Sequence, residues 1–235
     1  MTKPTRLKKP AAIFFDLDGT LVDSAPDLSA SLKAAFNTLN LDPPNEKDVR
    51  HWIGNGVDKL LHRALTNSMN GTAEGDDFWR ARNLFFTDYA HRSGESSTLY
   101  SGVLETLEWL TQNDILLVCI TNKNRCFTEP LLEKLGINRF FNLTVCGDDL
   151  SNKKPHPEPL LYAASHLNIS HRECIMVGDS KSDISAANAA EITVFCVDYG
   201  YSQGVDLSEL KIDSMLSSIA EVEDHFDHHS LKQCG

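Results

Sequence analysis

Five short stretches of nearly unbroken apolar residues punctuate the chain: AAIFF (11–15), ILLVCIT (115–121), LTVC (143–146), CIMVG (174–178) and ITVFCV (192–197). All are bounded by polar residues or glycine, as parallel strands covered on both faces should be. Helix-period patterns fill the gaps between the later ones, at 102–112, 124–135, 157–167 and 181–190, and Gly136 falls where a helix C-terminal glycine belongs. Alternating strand and helix predict a doubly wound α/β fold with a parallel, Rossmann-like sheet.

The first strand breaks this rhythm, because residues 16–114 separate it from the second. That interval reads as helical. Ser24 with Asp27 reads as a capping box, after which Leu28, Leu32, Ala35, Phe36 and Leu39 share one face. Further helices are predicted at 46–52, 56–68 and 76–92. The organisation expected is an α/β core from 1–21 and 96–235, with a helical cap at 22–95 inserted after the first strand.

Composition narrows the function classes. The apolar share of 41% suffices for a core, and no apolar run approaches the ~20 residues that span a bilayer. The opening MTKPTRLKKP has no apolar signal core. Six cysteines show no C-x-x-C spacing, and four fall in strand-like runs, as buried thiols in a reducing compartment would. A cytoplasmic protein without a membrane partner is expected. The net charge of −11 opposes a nucleic-acid interface, but not a small anionic substrate met by local positive charge and a metal.

In an open α/β sheet, ligands bind beyond the carboxyl ends of the strands. The first strand ends in Asp16-Leu17-Asp18 and the second in Thr121-Asn122. Lys153-Lys154-Pro155 follows the third, and the fourth ends in Gly178-Asp179-Ser180 with Asp183 one turn on. Hard carboxylate ligands suit Mg²⁺, which screens them from one another, and a lysine with free N–H groups suits a phosphoryl group. A calcium loop is rejected for D-x-D-G, since Leu21 occupies that loop's glycine position. Singly, these segments read as turns, caps or solvated lysines. Their joint placement at strand ends points to chemistry.

DLDGTLVDS, the ITN ending at Asn122, KKPHPEP and VGDSKSD resemble, in order and spacing, the four motifs of the haloacid dehalogenase superfamily of phosphohydrolases. Within it, IGNGVDKLLHRAL (53–65) and VDYGYSQG (197–204) resemble the phosphoglycolate phosphatases. Glu191 departs from the family pattern, standing where AAG is usual.

The resemblance implies a role for each residue. Asp16 would be the nucleophile that forms an aspartyl-phosphate, and Asp18 the acid and then the base. Asp16, Asp179 and the backbone carbonyl of Asp18 would hold Mg²⁺. Thr121, Asn122 and Lys154 would bind the substrate, with Thr121 and Lys154 on its phosphoryl oxygens. Asp183 would orient Lys154 or metal-bound water. Because the family's dehalogenases lack the second acid, Asp18 implies a phosphatase.

Weaker signals leave alternatives open. Gly54-Asn55-Gly56 reads either as a flexible turn or as an anion-binding helix start that meets a substrate carboxylate, with Gly56 and Arg63 as its contacts. Lys59, Arg80 and Arg82 supply charge to the same end or are simply solvated. The tail DHFDHH (224–229) reads as a frayed acidic terminus rather than a metal site. The leading expectation is Mg²⁺-dependent hydrolysis of 2-phosphoglycolate by a monomer or homodimer. The alternatives are another small phosphomonoester, a β-phosphoglucomutase-like phosphomutase of the same fold, or a non-catalytic scaffold.

Overall fold

A computed structural model describes residues 7–226. The elements run β1 (Ala12–Phe15), β2 (Val22–Asp23), α1 (Ala25–Thr38), α2 (Glu46–Trp52), α3 (Val57–Thr66), α4 (Asp76–Arg92), β3 (Thr98–Leu99), α5 (Val103–Gln112), β4 (Leu116–Ile120), α6 (Arg125–Lys134), β5 (Leu143–Val145), α7 (Glu158–His166), β6 (Cys174–Gly178), α8 (Lys181–Ala189), β7 (Thr193–Val197) and β8 (Ser214–Leu216). The five predicted strands pair in parallel with β8, in the order β5-β4-β1-β6-β7-β8. β8 was not legible as an apolar run, since Met215 of SML is exposed at this edge.

The side-chain alternation of β1 divides the core. Ile13 and Phe15 pack with Val103, Leu107 and Leu110 of α5, whereas Ala12 and Phe14 pack with Leu160 of α7 and Ile184 of α8. This two-faced burial explains the unbroken apolar runs. Register then aligns the strand ends: Phe15 lies opposite both Cys119 and Val177. The residues following β1, β4 and β6 therefore emerge at one edge.

Helices α1–α4 lie between β2 and β3, which pair antiparallel through Val22–Leu99 and Asp23–Thr98. They share an apolar cluster that includes Leu28, Leu32, Phe36, Trp52, Leu61 and Phe85. At the stem, Arg50 forks onto Asp23 at 2.9 and 3.0 Å. The Tyr201 hydroxyl donates to the same carboxylate (2.5 Å) and accepts from Ala25 N–H (3.1 Å).

The expected capping box at Ser24 does not form. Ser24 has helical angles (φ −97°, ψ −2°) and makes no side-chain cap. The Asp27 carboxylate turns instead to the returning chain, accepting from the N–H groups of Gly94, Ser96 and Ser97 and from the Ser97 hydroxyl. Glu191 itself takes the left-handed angle (φ +55°) at the end of α8, where glycine would be relaxed. Of the histidine-rich tail, His225 packs tilted against Phe195 and shares a hydrogen bond with Ser214, while 227–229 lie outside the described residues. Among the described residues, no helix is long and apolar enough to cross a membrane.

Candidate active site

The turn that leaves β1 is tight because Leu17 O accepts from the N–H groups of both Leu21 and Val22 (3.0 Å each). Gly19 sits at φ +93°, and a Cβ there would lie 2.2 Å from Asp179 Oδ2. Only glycine allows this turn to press against the carboxylate. The Thr20 hydroxyl donates to Asp179 Oδ1 (3.0 Å) and Tyr201 N–H to Oδ2 (2.5 Å). At the start of α8, Asp183 forms a capping box with Ser180 through one oxygen. The other pairs with Lys154 Nζ at 2.7 Å, and the same ammonium lies 2.9 Å from Asp16 Oδ1.

Asp16, Asp179 and Asp183 are buried, and each offers an oxygen within 4.8 Å of the others. Burial, then the neighbouring Asp183, pushes Asp16 up to about 7, against the pull of Lys154. Burial, with Asp16 and Asp183 nearby, holds Asp179 well above the carboxylate range. Burial works against the charge on Lys154, but Asp16 and Asp183 outweigh it and hold its pKa above the ordinary lysine value. Three hard, converging oxygen donors against one lysine leave an excess of negative charge once all three are ionised. That donor set fits a divalent cation of the Mg²⁺ type, for which Asp16 and Asp179 are available ligands.

The sign of these shifts gives a test. Two carboxylates with raised pKa make the metal-free fold bind more protons than the unfolded chain above pH ~4, so their contribution to stability declines as pH rises, for Asp16 through about 7. A cation must displace those protons at pH 5, but relieves carboxylate repulsion at pH 8. The rise in Tm on adding Mg²⁺ should be several degrees larger at pH 8 than at pH 5. An equal or smaller shift at pH 8 would contradict this electrostatic account.

Beyond the carboxylates, β4 delivers Thr121, Asn122 and Lys123. Asn122 Nδ2 donates to Lys154 O (2.9 Å) and, across the cleft, to Gly54 O (3.1 Å). Lys123 Nζ lies 3.0 Å from both oxygens of Asp18, with the Tyr89 ring of α4 on its flank at 4.9 Å. Asp16, Asp18, Thr121, Asn122 and Lys123 form the floor of a pocket roofed by Leu28, Ile53, Gly54, Gly56, Val57 and Leu60. Its cavity volume is about 30 Å³. That is water-scale room, smaller than a phosphomonoester.

Of the expected roof contacts, Gly56 lines the pocket at φ +87°, and Arg63 does not. Arg63 is buried, donating to Trp52 O (2.5 Å), Met69 O (3.0 Å) and Asn55 Oδ1 (2.8 Å). Its guanidinium shapes the 54–56 turn from behind, and no N–H group of it reaches the pocket. Arg82 is likewise engaged by Asp58, and Arg80 is exposed beside Asp77.

Lys123, Thr20 and Tyr201 were missed as site residues. Thr20 and Tyr201 carried a signal, lying in the DLDGTLVDS and VDYGYSQG stretches, and Lys123 carried none. That stretch meets IGNGVDKLLHRAL directly, since Gln203 Nε2 donates to Ile53 O (2.5 Å) and Asn55 Oδ1 (2.8 Å). Asn55 Nδ2 in turn donates to Ser182 Oγ of α8 (2.9 Å).

Comparison with known proteins agrees with this geometry. The phosphoglycolate phosphatase of Nitrosococcus oceani is 44% identical over 217 residues, spanning 92% of this chain and 96% of its own. That of Colwellia psychrerythraea is 41% identical, spanning 87% and 91%. The crystal structure of a predicted phosphoglycolate phosphatase from Haemophilus somnus superposes with a TM-score of 0.87 at 34% identity, spanning 92% of this chain and 98% of that one. The family model for haloacid dehalogenase-like hydrolases matches residues 13–197, from the first sheet strand to the end of β7, and the chain belongs to that family.

Proposed function

We propose that the protein hydrolyses 2-phosphoglycolate to glycolate and phosphate through an aspartyl-phosphate on Asp16. The observation that carries this reading is the convergence of Asp16, Asp18, Thr121 and Lys123 on one small pocket, with Lys154 2.9 Å from Asp16. The names of the homologues support the choice of substrate.

In the first half-reaction an Asp16 oxygen attacks phosphorus, the bond to the ester oxygen breaks, and Asp18 gives its proton to the leaving alkoxide. In the second, Asp18 takes a proton from water as that water attacks phosphorus. The bond to Asp16 then breaks, releasing phosphate and restoring both carboxyl groups. Lys154 and Thr121 stabilise charge on the phosphoryl oxygens, and Lys154 favours the ionised form of Asp16 in its buried position. Mg²⁺ held by Asp16, Asp179 and the Asp18 carbonyl would reduce repulsion between nucleophile and substrate. Asp183 positions Lys154. Residues 22–95 act as a lid whose closure excludes bulk water.

The test is a panel of phosphomonoesters assayed for phosphate release with Mg²⁺. 2-Phosphoglycolate should exceed sugar phosphates in kcat/KM by about tenfold or more. A preferred sugar phosphate, or dependence on a sugar bisphosphate, would overturn the assignment.

A further inference from the structure

We infer that Lys123 is the residue that reads the carboxylate of the substrate and so selects a phosphorylated 2-hydroxy acid over other small esters. The inference deepens the proposed function and rests on it. A substrate of this kind carries two anionic ends, and the groups around Asp16 serve only the phosphoryl end. Some other cation must meet the carboxylate, or its desolvation would oppose binding.

The pocket offers one cationic choice. Its roof is apolar or glycine, and Lys123 is the only cation among its lining residues. Arg63 is spent on Trp52, Met69 and Asn55, and Lys154 is enclosed between Asp16 and Asp183.

Distance makes the choice specific. Asp18 is the group that protonates the leaving oxygen, so that oxygen must lie against its carboxyl. Lys123 Nζ is 3.0 Å from each Asp18 oxygen. In a phosphorylated 2-hydroxy acid one carbon separates the leaving oxygen from the carboxylate, whose oxygens therefore lie only about 3 Å from it. An ammonium beside Asp18 is thus in reach of such a carboxylate, whereas an acid group several carbons further on would fall elsewhere. Lys123 has three donors and can serve Asp18 and the substrate together. Burial and the Tyr89 ring hold the ammonium in place, at 4% residue exposure.

The experiment compares kcat/KM for 2-phosphoglycolate and for ethyl phosphate, which has the same alkoxide type of leaving group but no carboxylate. Any effect of the lysine on Asp18 then falls on both esters and cancels in their ratio. Lys123→Met should lower the ratio by about 30-fold or more, through a raised KM for phosphoglycolate, and Lys123→Arg should recover part of it. Lys123→Gln, which can still hydrogen-bond Asp18, should behave like the methionine variant and serves if that one fails to fold. Lys153→Met is the contrast, since Lys153 Nζ stands near Gly56 outside the lining set. It should leave the ratio within about threefold of the parent's. A high parental ratio that survives loss of the Lys123 charge, or that collapses with Lys153 instead, would overturn the inference alone. A parental ratio near one would overturn both it and the proposed substrate.

Discussion

Asp16→Asn should abolish turnover, lowering kcat by about 10⁴-fold or more, or about 5 kcal/mol of transition-state stabilisation. An amide is a poor nucleophile toward phosphorus and a weaker ligand for a hard cation. The fold should survive the change. Asp16 is one of three buried carboxylates that converge on a single lysine, and Lys154 keeps Asp183 at 2.7 Å when Asp16 loses its charge. Without metal at pH 8, the variant's Tm should therefore match or exceed the parent's, because a buried like charge has been removed. Phosphate release within tenfold of the parent's would remove Asp16 from the chemistry, and a lost Tm would show that its charge is needed for folding.

Asp18→Asn should fail differently. The substitution removes the proton donor but retains an oxygen to accept from Lys123. For an alkyl phosphate, whose alkoxide must be protonated as it leaves, the first step should slow by about 10²-fold or more. For 4-nitrophenyl phosphate, whose leaving group departs as a stable anion, the single-turnover release of nitrophenolate should slow at least tenfold less. Steady-state turnover of both should remain poor, since Asp18 also activates the water of the second step. Equal losses for the two esters in the first step would argue that Asp18 only positions Lys123.

The convergence of the carboxylates was legible because it is written locally. Asp16 and Asp179 each follow an apolar strand directly, with Asp18 two residues beyond Asp16, and parallel register brings the strand ends together whatever the intervening helices do. Lys123 was not legible for the opposite reason. Its partners Asp18 and Tyr89 are 105 and 34 residues away, and a lysine after a strand end is ordinarily solvated. Two Ser-x-x-Asp patterns make the same point. At Ser180 the pattern forms its capping box. At Ser24 the same spacing does not, because Asp27 finds four donors on the chain returning at 94–97. Local pattern set the candidate, and distant donors decided the outcome. For Arg63, too, the charge suggested an anion, while its surroundings are three oxygens of the protein itself.

Tyr201 touches Asp179, one of the three clustered carboxylates, and the stem of the helical insertion at once. Its N–H donates to Asp179, and its hydroxyl donates to Asp23, the residue onto which Arg50 of α2 forks. In the proposed reading, cation occupancy and the posture of the insertion thus meet at one residue, through its backbone and its side chain. Thermodynamic reciprocity ties them: whatever factor a cation on Asp179 adds to the shut arrangement, shutting adds to the cation's affinity. Free Mg²⁺ would then govern the enzyme twice, once at phosphorus and once through the fraction of time the chamber stays closed.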